Sequence, residues 1–447
     1  MPAKTPHILL VNPWIHDFAA YDVWAKPLGL LYLAAMLRQH HLRVSLVDCL
    51  DRFHPSAPPP DADQRNGRGP YLKTPIAPPA ALADLPRRFC RYGIDPQWFM
   101  ADLTRLEPPD LVLVTSQMTY WYPGVVETIA SIREIFPTVP IWLGGIYASL
   151  CPGHARTFSG ADRIFCGPLN GAFFQALWRQ LGLSPATAAT CPAFQSWPLP
   201  ALDLLHGIAY APLLTGIGCP FRCTYCASAY LNPGFNRRSP EKVVAEIRHW
   251  HRNWGVAEVA LYDDAFLVDA QHHAVPLLER VIGADLPVRF HTPNALHIRD
   301  IDARTARLLF QAGFVTVRLG LEAATDKDRK GIDQKVTLTE FRRAAAHLRQ
   351  AGFTRQQVGA YLLVGLPQQP LDGVRLAIDT VKAAGITPIL AYYSPIPHTA
   401  MWPAAVKSSR YDLKADPIFT NNAIFPCWQQ AFAWKTISAL KSRIRQG

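Results

Sequence analysis

Strand-length apolar runs and helical periodicities alternate along this chain in two successive series. In the first, apolar runs at residues 7–12, 43–48, 111–115, 141–143 and 163–166 read as strands, and amphipathic patterns at 28–39 and 125–136 read as helices. This alternation predicts a doubly wound, mostly parallel, Rossmann-like sheet, because parallel neighbours need a crossover long enough to hold a helix. Between the second and third strands, nine prolines from Pro55 to Pro86 mark an insertion too polar and Pro-rich for a core. A surface loop is the expectation there.

Residues 191–210, rich in Pro, Trp and Leu, read as the link to the second series. Strand-like runs follow at 213–217, 257–262, 288–291, 315–319, 358–364 and 388–393, with helical patterns at 241–253, 275–282, 303–312, 338–351 and 374–384. Six βα units predict an open (β/α)6 barrel, an α/β fold that gathers functional groups at the C-terminal ends of its strands. Near the C-terminus, Ile437, Leu440 and Ile444 fall at helical spacing, with Lys435, Lys441, Arg443 and Arg445 mostly between them. This pattern predicts a docked terminal helix with a solvated basic face.

Composition narrows the class. With 447 residues, 49% hydrophobic and 18% charged, the chain is globular and has room for two domains. No apolar stretch approaches the ~18 to 20 residues that span a bilayer, and residues 1–17 lack the apolar core of a signal peptide. A cytoplasmic protein with no membrane partner is expected. The formal charge of +11 permits acidic partners, but Lys and Arg are dispersed, which disfavours a nucleic-acid surface.

Chemistry concentrates in the run Gly218-Cys-Pro-Phe-Arg-Cys-Thr-Tyr-Cys-Ala227. Cys219, Cys223 and Cys226 are three thiols within eight positions and read as an iron–sulfur site. Four thiolates saturate a cluster, whereas three leave one iron open to a reacting molecule. A zinc knot takes four ligands in two pairs, and no second Cys pair exists. Cys49, Cys90, Cys151, Cys166, Cys191 and Cys427 are scattered singly and read as small buried hydrophobes.

The Cys-xxx-Cys-x-aromatic-Cys run closing an apolar segment resembles the cluster loop of the radical S-adenosylmethionine (SAM) superfamily. The resemblance implies a [4Fe-4S] cluster on the three Cys, SAM on the fourth iron, and reductive cleavage of SAM to a 5′-deoxyadenosyl radical. It places Tyr225 beside the adenine. Polar residues also collect at the later strand ends, in Tyr262-Asp263-Asp264, His291-Thr-Pro-Asn294, Arg318-Leu-Gly-Leu-Glu322 and Gly365-Leu-Pro367. Asp263 or Asp264 taken alone reads as a helix cap, and only the set together resembles the family. By the resemblance, Asn294 and Glu322 meet the SAM ribose or amino group, Arg318 a carboxylate, and Leu363 and Gly365 the adenine. Gln368-Gln369-Pro370 stands where the family commonly has Gly-Glu-Thr, and His398 where it has a glycine. His398 is a substrate contact or a solvent-facing loop histidine. No residue is nominated as catalytic.

The first series resembles the cobalamin-binding-type domain fused to many radical SAM enzymes. The matching pieces are Leu9-Leu-Val-Asn-Pro13, Pro27-Leu-Gly-Leu-Leu-Tyr-Leu-Ala-Ala35, Val47-Asp48 and Gly144-Gly145-Ile-Tyr-Ala-Ser149. A corrinoid there lies over the strand ends, lined by Asn12, Pro13, Thr115, Ser116, Gly144 and Gly145. The Asp-x-His-x-x-Gly element that supplies a cobalt ligand in many corrinoid proteins is absent, and His16-Asp17 does not reproduce its spacing. A bound corrinoid and an empty crevice both remain open.

The domain boundaries expected are a cobalamin-binding-like domain at 1–185 with its insertion at about 54–95, a linker at 186–205, a radical SAM core at 206–405 and an extension with a basic helix at 406–447. The function implied is modification of an unactivated carbon of a small or medium metabolite, foremost cobalamin-dependent C-methylation, with an electron donor such as flavodoxin or ferredoxin. A cobalamin-free rearrangement or cyclisation enzyme, a methylthiotransferase and a non-catalytic corrinoid- or SAM-binding regulator are the alternatives.

Overall fold

Every residue of His7–Asn12 (β1) is buried, as a strand flanked on both sides within a helix-covered parallel sheet must be. The computed structural model describes residues 5–60, 66–183, 191–324, 332, 335–429 and 433–446. They fall into two units, Met1–Ala209 with Asp416–Ile418, and Tyr210–Ala415 with Phe419–Gly447.

In the first unit, β1 is followed by Ile15–Asp17 (β2), the helix Leu28–Gln39 (α1), Arg43–Asp48 (β3), Lys73–Pro75 (β4), Cys90–Tyr92 (β5), the helix Pro96–Arg105 (α2), Leu111–Val114 (β6), the helix Tyr122–Ile135 (α3), Ile141–Leu143 (β7) and Arg163–Ile164 (β8). The main sheet runs β3-β1-β6-β7-β8 and is parallel throughout. Leu9, Val11, Val112, Val114, Ile129 and Leu143 form part of its core. Since the strands are parallel, their C-terminal ends share one edge, where an open sheet offers a crevice.

The Pro-rich insertion is more than a surface loop. β2, β5 and β4 make a three-stranded antiparallel sheet in that order, and Tyr71, Leu82, Phe89, Cys90 and Tyr92 are buried. Prolines hide this from a composition argument, yet Pro75 is tolerated because it ends the exposed edge strand β4. Helix α2, absent from the expected elements, starts on an Asp95 cap with Pro96 in the first turn.

The second unit holds Ala211–Leu213 (β9), Gly216–Ile217 (β10), Asn236–Arg237 (β11), Glu258–Leu261 (β12), Arg289–His291 (β13), Phe314–Glu322 (β14), Val358–Val364 (β15) and Thr387–Tyr392 (β16). Six of these form a sheet in the order β16-β15-β14-β13-β12-β9, parallel and in chain sequence, as the open (β/α)6 barrel requires. The single strand expected at 213–217 is two. It breaks at Thr215, whose N–H donates to Asp263 Oδ2 at 2.9 Å, and β10 then pairs antiparallel with β11.

Helix ends carry the expected signals. Ser239 caps Pro240–Trp254, which stops at Gly255 with φ +62°, and a Thr337/Glu340 capping box starts Leu338–Gln350. On the terminal helix Ala433–Arg445, Ile437 and Leu440 are buried. Its basic face is not simply solvated: Arg443 Nε donates to Asp379 Oδ1 at 2.9 Å and Lys382 Nζ to the Arg443 carbonyl at 2.9 Å. Among the described residues no helix is long and apolar enough to cross a membrane.

Candidate functional site

The three thiols are presented by a loop that its own backbone holds in place. Gly218 leaves β10 with φ +85°, and a Cβ there would lie 2.1 Å from the Gly234 carbonyl oxygen, so glycine is required. Thr224, between the second and third thiols, donates from its N–H and hydroxyl to the Ile332 carbonyl at 3.0 and 3.1 Å, while its own carbonyl accepts from Met401 N–H at 2.8 Å. Cys219 and Cys223 are half-buried and Cys226 is exposed.

This donor set suits a cluster better than a closed single-ion site. Ser228 N–H points at Cys226 Sγ from 3.4 Å, as an amide stabilising a thiolate does. Burial pushes the Cys219 thiol up, while the Phe221 backbone and the Lys335 charge pull it down. His297 Nε2 stands 4.0 Å from Cys219 Sγ, its ring stacked on Phe221 at 4.9 Å. Among the described residues, no three His, Cys, Asp or Glu are arranged to hold a metal ion. Three soft donors on an open loop fit an iron–sulfur cluster with one iron left accessible.

Beside the loop, Tyr225 and Glu322 come together. Glu322 ends β14 in the left-handed region at φ +65° and is 6% exposed. Its Oε1 accepts from Tyr225 hydroxyl at 2.9 Å and from Lys335 Nζ at 3.1 Å, and Lys335 also donates to the Tyr225 oxygen at 3.1 Å. Lys335 was invisible to motif reasoning, because one Lys in a polar loop carries no spacing signal.

The other strand-end residues divide. Leu363 packs in one apolar cluster with Tyr225. Asn294 donates to the carbonyls of Tyr262 and Asp263 at 2.9 and 3.3 Å, tying two strand ends together. Arg318 departs from the carboxylate contact expected of it. Its guanidinium donates to the carbonyls of Val317 and Gln357 at 3.0 and 3.2 Å, at the start of β15, whereas Glu322 lies toward the opposite end of the strands. At Gly365, with φ +96°, a Cβ would meet the Phe425 ring at 3.1 Å, so an aromatic side chain packs against this glycine. Gln369 accepts from Gly365 N–H at 2.9 Å and donates to the Leu363 carbonyl at 2.8 Å. A carboxylate has no proton for the second bond, which accounts for glutamine in the family's Glu position.

Asp263 does more than cap a helix. It accepts from Thr215 N–H and hydroxyl at 2.9 and 2.5 Å, and Thr215 oxygen lies 2.8 Å from His273 Nε2. Burial pushes Asp263 up to about 7, against the opposing Thr215 hydrogen bonds, and pushes His273 down to about 4. Burial also raises Asp264, with Ser228 opposing. His398 is exposed, at φ +66°, and stacks on Tyr230 with ring centroids 4.3 Å apart.

In the first unit, a cavity of about 310 Å³ opens at the strand ends between α1 and the sheet, lined in part by Gly29, Leu33, Thr115, Gly144, Gly145 and Phe165. Asn12, Pro13 and Ser116 do not line it. Asn12 is 1% exposed and donates to Asp48 Oδ1 at 2.7 Å, Pro13 is buried, and Ser116 hydroxyl donates to the Gly144 carbonyl at 2.6 Å. Gly29 and Phe165 were missed because a pocket wall built from helix and loop leaves no motif. The lining suits a bulky, largely apolar group, since a Cβ at Gly29 would meet nothing within 4 Å and one at Gly144 meets the Phe165 carbonyl at 3.9 Å.

A parallel six-stranded βα barrel with a three-thiol loop after its first strand is an architecture suited to an iron–sulfur site. Residues 213–381 match the Radical SAM superfamily, so this chain carries a radical SAM domain. It is 23% identical to an uncharacterised methyltransferase of Pyrococcus horikoshii over 47% of each chain, and thus spans about half of that relative. It is 20% identical to the cytidylyl-2-hydroxyethylphosphonate methyltransferase of Streptomyces wedmorensis, over 98% of this chain and 85% of that one. Its fold resembles that of the radical SAM methyltransferase TsrM from Kitasatospora setae, solved with cobalamin and a [4Fe-4S] cluster, with TM-score 0.65 and 18% identity over 91% of this chain and 76% of that one.

Proposed function

We propose that this chain is a cobalamin-dependent radical SAM methyltransferase acting on an unactivated carbon of a small or medium-sized metabolite. The carrying observation is the 310 Å³ apolar crevice at the strand ends of the first sheet, in a chain whose second sheet presents three thiols. The likeness to two methyltransferases and to the fold of TsrM supports the same reading. When bound, the cluster supplies the electron that cleaves SAM and the corrinoid a methyl carrier.

The chain's own residues bind and orient. Cys219, Cys223 and Cys226 would hold the cluster, Glu322 and Tyr225 would receive SAM, and Thr115, Gly144 and Gly145 would take the corrinoid. No histidine lines the crevice among the described residues, so a corrinoid there would rest on Thr115, the two glycines and apolar walls. The electron comes from a donor such as flavodoxin or ferredoxin, in the reducing cytoplasm.

Anaerobically purified protein tests the proposal. It should retain hydroxocobalamin in dialysis, show a cluster absorption shoulder, and release 5′-deoxyadenosine from SAM under strong reductant. SAM cleavage without corrinoid retention would leave a cobalamin-free rearrangement or cyclisation enzyme. Corrinoid retention without SAM cleavage would leave a regulator.

A further inference from the structure

Building on the cluster reading above, we infer that His297 acts through Cys219 as a positioning residue of the iron–sulfur site: its ring Nε2–H donates to the Cys219 thiolate and sets the potential at which the bound cluster takes its electron. The thiol spacing gives no hint of it, since His297 lies 78 residues from Cys219. The geometry singles out one ring nitrogen. Nε2 stands 4.0 Å from Cys219 Sγ, whereas Nδ1 is buried and has no hydrogen-bond partner among the described residues. A neutral imidazole carries one N–H, and a thiolate offers only lone pairs, so the nitrogen facing sulfur is the one that carries the proton.

The ring is held from two sides. It stacks on Phe221, which lies between Cys219 and Cys223, with centroids 4.9 Å and planes 21° apart. Its flanks are tied to the barrel: Leu296 N–H donates to the Arg318 carbonyl at 2.7 Å, Leu296 bridges Leu319 of β14, and Ile298 is 3% exposed. One residue is thus anchored to a barrel strand and to the thiol loop at once. The chemistry follows from charge. An added electron makes a cluster and its sulfurs more negative, and an N–H aimed at a ligand sulfur stabilises that state, which raises the potential. The 4.0 Å contact is long for a neutral thiol, and a charged thiolate draws the donor harder.

A ring that merely fills space against Phe221 makes a different prediction, and the reduction potential separates the two. Cluster-reconstituted wild type, His297→Phe and His297→Gln would be compared without SAM in redox titrations followed by electron paramagnetic resonance, with iron content measured on each. His297→Phe keeps a ring to stack on Phe221 and loses the donor, whereas His297→Gln keeps an N–H near the reach of Nε2. Reduction of the Phe variant should be about tenfold less favourable, a fall of about 59 mV for one electron, and the Gln variant should recover most of that shift. Hyperfine spectroscopy of the reduced wild-type cluster gives a reading that needs no variant: isotope-labelled histidine should show a weak nitrogen coupling. If His297→Phe loses its iron, that coupling and the Gln potential decide. Equal potentials in all three proteins, equal shifts in Phe and Gln, or no histidine coupling would overturn the assignment while leaving the cluster reading intact. Wild type that takes up no cluster would overturn both.

Discussion

Replacing Cys219, Cys223 or Cys226 by Ala should abolish iron retention and SAM cleavage with little change in melting temperature, because the thiols stand on a half-exposed loop outside the cores. Iron content and a thermal melt check both halves; iron retained at wild-type level in Cys223→Ala would refute the ligand assignment. Asp263 makes a second, pH-dependent prediction. Its carboxyl goes from 3.8 unfolded to about 7 folded, raised by burial. Stability from this group is therefore full below about pH 4 and is lost as pH rises toward 7. Asp263→Asn cannot ionise, so relative to wild type it should gain up to about 4 kcal/mol between pH 4 and 7 in denaturant titrations. A pH-independent difference would sink this. At this scale the thiols were legible because local spacing alone creates their chemistry. Lys335 was not, since its meaning comes from Glu322 and Tyr225, which lie 13 and 110 residues away.

Elements were legible where burial sets their period. Strands β1, β7 and β15 fall where the apolar pattern puts them, because a strand buried on both faces leaves an unbroken apolar run; the partly exposed edge strand β3 and helix α1 also fall at their expected residues. The break at Thr215 was hidden, because a hydrogen bond to Asp263, 48 residues away, decides it. The small sheet of the insertion was hidden by its prolines. The crevice shows what such local detail changes in practice. Gly145 has φ +92° and a Cβ there would stand 2.3 Å from the Ser116 carbonyl oxygen, so a bulky residue at 145 would disturb the backbone as well as the cavity. Gly29 offers a cleaner probe: it lines the cavity from α1, and its Cβ direction is open. Gly29→Phe should weaken hydroxocobalamin retention about tenfold or more by filling apolar space, while keeping the melting temperature, since glycine is a poor helix former. Equilibrium dialysis and SAM cleavage would be read together. Undiminished corrinoid uptake would remove the cavity from the binding site.

For the whole molecule, net charge and length were weak guides, and the cofactor inventory is the sharper property. A methylthiotransferase needs a second cluster and hence three more accessible thiolates. Cys49 and Cys90 are buried in the first unit, and burial pushes the Cys49 thiol well above its ordinary value. Burial also pushes Cys151, and Cys427 in the second unit, up to about 12, and raises Cys191. A thiol buried among apolar side chains is not open to a cluster. Cys166 is exposed, but its Sγ lies 3.4 Å from the Ala148 carbonyl at the rim of the strand-end cavity, where one thiol cannot hold a cluster. Anaerobic reconstitution followed by metal analysis should therefore give about four irons and about one cobalt per chain. Alanine at any of the six other cysteines should leave the iron count unchanged. About eight irons per chain, or iron lost on changing Cys49, Cys90 or Cys151, would replace the proposed methyltransferase function by that of a two-cluster enzyme.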